Sequence, residues 1–163
     1  AAEPDLRWRT FSQSYVEMFE SLNVSLVISM GALLTESSHR RPIQVIGSSA
    51  DPDIEQRLQF QHSSYEGPTG ILGVLNFALQ QADVPAISLW ASVPHYIAET
   101  CPPATLALLE KLESIANVHL DTNEISSACD RFYECLLEYW RPIYPWFRRL
   151  QHVMIQRSCI QMR

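Results

Sequence analysis

The residues of this sequence best suited to chemistry lie at two places where the pattern of apolar residues changes. The first is SSYEGPTGILGVL, residues 63–75, which holds three of the chain's five glycines, Gly67, Gly70 and Gly73. Such glycines permit either a tight turn or the close approach of a ligand to the backbone, and a helix starting here would offer free N–H groups to an anion. The segment has no Gly-Lys-Ser/Thr ending of the kind that binds phosphate, and Glu66 would compete for the same N–H groups. A structural turn and a ligand-binding loop therefore both stay open.

The second place is SLWASVPHYIA, residues 88–98, where a predicted strand ends in a proline, a histidine and a tyrosine. Open α/β sheets bind ligands beyond the carboxyl ends of their strands, and His95 in that position would be available as an acid, a base or a hydrogen-bond donor. The alternative is that nearby backbone satisfies the ring. No nucleophile-elbow motif is present, so no Ser-His-Asp arrangement is predicted.

A third candidate is the loop sequence ESSHRRPIQV, residues 36–45, which contains His39, Arg40 and Arg41. These residues form a basic cluster in an otherwise acidic region, between two predicted strands. Arginine side chains there would suit a carboxylate or a phosphate. A solvated connecting loop is the competing interpretation.

Composition and charge limit the class of protein. The 163 residues are 47% hydrophobic and 18% charged, which is typical of one soluble domain with an apolar core. The net charge of −6 consists of −9 over residues 1–125 (6 Lys and Arg, 15 Asp and Glu) and +3 over residues 126–163 (6 and 3), and this balance disfavours a nucleic-acid-binding protein. No apolar run is long enough to span a membrane and no secretion signal is recognisable, so a cytoplasmic protein is expected. The four cysteines show no metal-binding spacing, and neither a zinc site nor a cofactor is predicted.

Helices and strands alternate in the predicted pattern, which is typical of an α/β fold. Apolar residues at helical spacing predict a first helix over residues 8–22, whose face with Trp8, Phe11 and Tyr15 packs against a sheet. The apolar, β-branched run over residues 24–34 predicts a strand buried on both faces. The further predicted elements are a strand over 43–50, a helix over 51–60, a helix over 71–82, a strand over 86–96 and a helix starting near residue 102.

Four segments together resemble one family of proteins. They are EPDLRW, GALLTESSHRRPIQVIGSSADP, SSYEGPTGILGVL and SLWASVPHYIAETCPPATLALLEKLE, spread over about residues 3–120. On these segments the chain is similar to the bacterial, actinobacterial branch of the proteasome assembly chaperone family, of the type named for the second such chaperone. The resemblance implies an α/β fold with a mixed sheet flanked by helices, similar in topology to nucleoside phosphorylases.

The resemblance also directs attention to particular residues. Those singled out as family motif or ligand contacts are Tyr65, Glu66, Gly67, Pro68, Thr69, Gly70, Trp90, Pro94, His95, Tyr96, His39 and Arg41. No catalytic residue and no metal ligand is assigned among them.

The chain departs from the family pattern at both ends. Family members carry a longer segment before EPDLRW, so residues 1–125 are expected to be the C-terminal part of a longer α/β domain, with part of its sheet missing. The basic, aromatic tail over residues 126–163 resembles nothing in the family and is expected to be helical, as either a frame change or a lineage-specific ending. It also lacks the C-terminal tripeptide, a hydrophobic residue followed by tyrosine and then any residue, by which some archaeal relatives dock on proteasome α-rings.

The function expected from this resemblance is non-enzymatic. Eukaryotic and archaeal relatives bind proteasome α-subunits during assembly. We therefore expect a chaperone-like or scaffold protein that forms a homo-oligomer and binds proteasome-related subunits, with neither nucleic acid nor membrane as a partner. The alternative is a nucleoside- or nucleotide-type binding protein or enzyme with a cleft at the sheet edge. In that alternative Glu66 accepts a ribose hydroxyl, the backbone of residues 67–70 approaches the ligand and His95 serves as acid or base.

Overall fold

The computed structural model describes residues 4–58, 70–97 and 100–140, and the chain forms five helices and three strands there. The helices are α1 (Trp8–Ser21), α2 (Pro52–Leu58), α3 (Ile71–Gln81), α4 (Pro102–Ala116) and α5 (Asn123–Trp140), and the strands are β1 (Val27–Thr35), β2 (Val45–Ser49) and β3 (Ala86–Pro94). Each element predicted from the sequence is present near its expected place. α5 runs through residue 125 without a break, and the division of the chain at that residue stays a prediction.

The three described strands form one mixed sheet in the order β1-β3-β2. β3 is the central strand: it runs parallel to β1, in a register that pairs Val27 with Ala86 and Thr35 with Pro94, and antiparallel to β2. The parallel pair needs a crossover connection, which the chain makes through β2, α2 and α3 before it returns as β3. The predicted fold class, a mixed sheet flanked by helices, is confirmed.

One face of β3 forms the centre of the hydrophobic core. Ile87 and Leu89 are completely buried, and Ala91 and Val93 follow on the same face at 0% and 5% exposure. α4 covers this face, with Leu108 packed against it. Full burial of a Val, Leu or Ile side chain stabilises a fold by about 1.5–3 kcal/mol relative to leaving it exposed. β3 is therefore the strand on which the stability of this sheet depends most.

α1 packs against α3, and together they form a second, smaller core. Its buried apolar residues are Val16, Leu75 and Leu79. Because α1 contacts α3 along one narrow stripe, the residues that it buries are Ser12 and Val16. Contrary to the prediction of an aromatic face against the sheet, Tyr15 is 38% exposed.

β1 is less covered than the sequence predicted. α4 packs on β3 and β2, and the β1 residues that face the same way as the core, Met30 and Leu34, are 42% and 64% exposed. The outer edge of β1 is also open, because among the described strands β1 pairs with β3 alone. Val27 and Thr35 form backbone hydrogen bonds on the β3 side, so the N–H and C=O groups of the even-numbered residues of β1 point away from the sheet. The prediction of a strand buried on both faces is therefore wrong.

Trp90 explains the glycine in the middle of β1. Gly31 and Trp90 are paired in register, and the indole ring lies against Gly31, so that a Cβ atom there would come within 2.6 Å of Trp90 Cζ3. A side chain at this position would have to displace the ring. Trp90, which the sequence singled out as a motif residue, thus has a packing role in the sheet.

Candidate functional site

The loops that follow β1 and β3 meet at one end of the sheet. The two strands are parallel and end opposite each other, at Thr35 and Pro94, and the N–H of His95 donates a hydrogen bond to Thr35 O at 3.0 Å. In α/β proteins the carboxyl ends of neighbouring parallel strands are where functional side chains are brought together. Three of the residues predicted from the sequence, His39, His95 and Tyr96, are neighbours here.

Tyr96 and His39 fasten the two loops to each other. The backbone N–H of His39 donates to Tyr96 Oη at 2.8 Å, and Nδ1 of the same histidine lies 2.8 Å from that oxygen. Burial, followed by the charge of Arg40, lowers the pKa of His39 below its usual value, which favours the neutral ring. In the neutral tautomer with its proton on Nε2, the ring accepts the phenol proton at Nδ1, while the phenol oxygen accepts from the backbone. We refer to these contacts between His39 and Tyr96 as the Tyr96 clasp.

His95 lies beside the Tyr96 clasp and faces solvent. Its ring stands edge-on to that of Tyr96, with 5.4 Å between the centroids, and its Nδ1 is 3.5 Å from Glu36 Oε2, which makes an ion pair when the ring is protonated. The two side chains are 52% and 92% exposed, so the pair contributes little to stability. Sequence reasoning did not single out Glu36. The sequence feature that could have identified Glu36 is its position directly after β1, at the same end of the sheet as His95.

The other residues predicted from the sequence take structural positions or lie outside the described residues. Pro94 is fully buried at the end of β3, and the N–H of Arg41 closes a loop by donating to Ser38 O at 2.9 Å. Gly70 precedes α3 with φ −83° and ψ −178°, an extended conformation that any residue adopts, so a positive φ is not the reason for this glycine. Residues 65–69 lie outside the described ranges, and the choice between a turn and a ligand loop there stays open.

A cavity of about 480 Å³ opens at the opposite end of the sheet, where β2 and α3 end and β3 begins. Its polar wall residues are Ser48, Ser49, Asp51, Asn76, Gln80, Asp83 and Ser88. Sequence reasoning missed this group. The sequence feature that could have indicated it is a polar residue inside an apolar run, as at Asn76 and Ser88, because a buried polar group has to find a hydrogen-bonding partner. The nucleoside-type alternative placed its cleft beside His95, and this cavity is at the other end of β3.

The described residues form neither a metal site nor a membrane-spanning helix. Within residues 4–58, 70–97 and 100–140, no three His, Cys, Asp or Glu side chains are placed to share a metal ion. Over the same ranges, no helix combines the length and the apolar content needed to cross a bilayer. Cys101 and Cys129 are free thiols, and burial raises the pKa of both, which disfavours the reactive thiolate.

Both the sequence and the fold are similar to those of known proteins. The family model described as PAC2 family matches residues 1–138, which extends into α5. A PAC2 family protein from Streptomyces avermitilis is 40% identical, with a TM-score of 0.80 over 83% of this chain and 58% of that chain. A proteasome-assembly chaperone homologue from Mycobacterium tuberculosis is 36% identical, with a TM-score of 0.77 over 84% of this chain and 58% of that chain. The chain therefore spans 58% of the length of each of these two proteins.

An archaeal homologue of proteasome-assembly chaperone, from Pyrococcus furiosus, extends the similarity beyond bacteria. It is 15% identical, with a TM-score of 0.70 over 99% of this chain and 68% of that chain. At this identity the likeness shows the fold alone. Among curated proteins, none matches the chain significantly.

Proposed function

Because the chain belongs to the PAC2 family, we propose that it is a non-enzymatic, chaperone-like protein of the cytoplasm that binds proteasome-related subunits and associates with itself. The mycobacterial relative, described as a homologue of proteasome-assembly chaperones, supports this class of partner. Family membership is the observation that carries the proposal. The geometry of the chain then suggests which surfaces serve the two kinds of contact.

The surface around the Tyr96 clasp suits recognition of another protein. His95 and Glu36 are exposed next to the clasp, and Tyr96 is itself 38% exposed. Tyrosine side chains are enriched at protein interfaces, since they combine a large apolar ring with a hydrogen-bonding tip. Contacts that already hold this surface in place lower the entropic cost of binding a partner. We therefore place the contact with a client subunit here.

Binding to purified α-subunits from a proteasome-bearing actinobacterium tests this assignment. His95→Ala should weaken binding about tenfold, because it removes an exposed contact residue without disturbing the core. His119→Ala is the matched control: His119 is also exposed and also pairs with a glutamate, its Nδ1 lying 3.2 Å from Glu113 Oε1, but it follows α4. The proposal fails if wild-type protein binds neither α-subunits nor their assembly precursors. Equal losses of affinity in the two histidine variants would show that the client does not bind at the clasp surface.

The open edge of β1 suits self-association. The strand is nine residues long and contains neither a charged residue nor proline, whereas strands at a sheet edge are usually protected by such residues. An antiparallel β1 from a second copy that places Ala32 opposite Ala32 also places Met30 of each copy opposite Leu34 of the other. The backbone N–H and C=O groups of these residues point outward, and their side chains lie on the exposed face. One register therefore pairs the backbone groups and also brings the side chains of the two copies into contact. A contact of this kind is isologous and closes as a dimer.

A further inference from the structure

α1 has an apolar face besides the one that it buries against α3. Four residues recur at intervals of three or four positions and therefore lie along one side of the helix: Phe11, Tyr15, Met18 and the C-cap Leu22. Tyr15 is 38% exposed, Met18 42% and Leu22 65%. We refer to these four residues as the α1 stripe. An exposed row of large apolar side chains is typical of a surface that contacts another element or another chain.

α1 lies on the β1 side of the helix layer. The cavity described above is lined by residues of α3 and β2, and α1 packs on the other side of α3, where Phe19 and the first residue of β1, Val27, contact the same cluster. Residues 22–26 connect α1 to β1, and residues 82–85 connect α3 to β3. Because β1 and β3 are parallel, these short connections make α1 and α3 run in the same direction.

The α1 stripe faces the layer of the sheet, beyond the edge of β1. On α3, Leu75 packs against α1, and Asn76, one position later, reaches the sheet by donating to Ser88 Oγ. One position along a helix turns the side chain by about 100°. α1 runs in the same direction on the opposite side of this contact, so its residue that faces the sheet comes one position before its contact residue, as Tyr15 precedes Val16. Since Tyr15 is nevertheless exposed, the described strands end before they reach it, and the place beneath the stripe is that of a strand next to β1.

We propose that the α1 stripe packs on β1 of a second copy of the chain. The inference rests on the proposed self-association, in which two β1 edges pair antiparallel, because that pairing puts the second β1 in the place beneath the stripe. Each copy then contributes a strand edge and a helix face, and each stripe covers the strand of the other copy, as the symmetry of an isologous contact requires.

The register of the paired edges identifies the side chain that meets the stripe. The odd-numbered residues of β1 face the helices, since Ser29 contacts Ser88, to which α3 is hydrogen-bonded. In the antiparallel register given above, Leu33 of the second copy lies opposite Gly31, on this side of the sheet. Leu33 of the second copy is therefore the apolar side chain that lies beneath the ring of Tyr15.

Size and charge favour a second copy as the occupant. Stable interfaces involve roughly 20–30 residues a side, whereas β1 offers nine, and the α1 stripe adds apolar area directly beside this edge. Like β1, the stripe contains no charged residue, so two copies of an acidic chain meet here without repulsion between carboxylates. The ring centroid of Tyr15 lies 4.7 Å from that of Phe11 and 5.9 Å from that of Phe19. These contacts hold the ring in place before association and lower its entropic cost.

Dimer dissociation constants from sedimentation velocity over a dilution series test the stripe. Tyr15→Lys should raise the constant at least about tenfold, because it places a charge against an apolar side chain of the second copy. Gln13→Lys is the matched control, since Gln13 is also exposed on α1 but lies on the opposite side of the helix, and its constant should stay within about twofold of wild type. Tyr15→Ser, which removes the ring without adding a charge, should raise the constant about threefold to tenfold. Circular dichroism should show the helix content of wild type in all three variants.

Photo-crosslinking identifies what the stripe contacts. A chain with benzoylphenylalanine in place of Tyr15 should give, on irradiation, a product of twice the monomer mass. Mass spectrometry of mixed isotope-labelled and unlabelled copies should locate the attachment in β1 of the other copy, and the same group in place of Gln13 should give no such product.

The outcomes separate this contact from self-association as a whole. A wild-type monomer would contradict self-association and the stripe contact with it. The stripe contact alone is overturned if wild type is a dimer that Leu34→Lys dissociates, but Tyr15→Lys and Gln13→Lys have equal dissociation constants. It is also overturned if the group at position 15 attaches only to its own chain, or to an added proteasome α-subunit instead of a second copy.

Discussion

β1 and β3 are two strands of equal length, paired residue for residue in the same direction, and yet they lie in different surroundings. On the α4 side of the sheet, Leu89 of β3 is completely buried, whereas its register partner Met30 is 42% exposed and Leu34 is 64% exposed. Both strands are predominantly apolar. The difference lies in the neighbours: β3 has a strand on either side and α4 across one face, whereas no element among the described residues covers the outer side of β1. β1 therefore has the composition of an interior strand and the exposure of an edge strand.

The largest effect expected from this difference is on stability, and a pair of Leu→Ala variants measures it. Leu89→Ala should lower the free energy of unfolding by about 2–5 kcal/mol, because it leaves a cavity in the core. Leu34→Ala should change it by less than about 0.5 kcal/mol, since that side chain is mainly in solvent. Urea unfolding at low protein concentration, where self-association is suppressed, gives both values. Losses of similar size would show that β1 is as well packed as β3.

A smaller effect is expected where the two strands touch. Gly31→Ala should cost about 1–3 kcal/mol, because the new methyl group meets the Trp90 ring at 2.6 Å. A double-variant cycle with Trp90→Leu identifies the cause: the cost of Gly31→Ala should fall by about 1 kcal/mol or more once the ring is gone. An unchanged cost in the Trp90→Leu background would mean that the glycine serves another purpose.

The smallest effect is expected at the Tyr96 clasp, which ties the loop after β1 to the end of β3. The pKa of His39 is lowered in the folded chain, so the unfolded chain binds more protons as the pH falls below the usual histidine value of about 6.5. The contribution of His39 to stability is therefore present above that pH and is lost on acidification through the window between the usual and the lowered pKa.

Thermal melts between pH 5 and pH 7.5 measure this contribution. The Tm of wild-type protein should fall on acidification by about 1–2 °C more than that of His39→Gln. Parallel curves for the two proteins, or a steeper fall in His39→Gln, would show that a neutral His39 ring does not stabilise the clasp.

The features predicted from the sequence were those that depend on neighbours along the chain. Helix and strand periodicity placed the elements, and α2 begins close to the predicted residue 51, where Asp51 accepts a hydrogen bond from the N–H of Asp53. His39 and Tyr96 were each singled out, but their contact joins residues 57 positions apart and depends on the register of β1 with β3. The exposure of β1 was mispredicted for the same reason. Composition records that a strand is apolar, whereas its burial depends on which elements pack beside it.

Sedimentation velocity at micromolar concentration tests most directly the claim that β1 is an interaction edge. Wild-type protein should sediment as a species near twice the monomer mass of 18.6 kDa, and Leu34→Lys should sediment as a monomer, because a lysine on an edge strand opposes pairing with a second copy. Phe77→Lys is the matched control: Phe77 is 63% exposed, close to the value for Leu34, but it lies on α3, so this variant should remain a dimer. A wild-type monomer, or a Leu34→Lys variant that associates as strongly as Phe77→Lys, would contradict the claim.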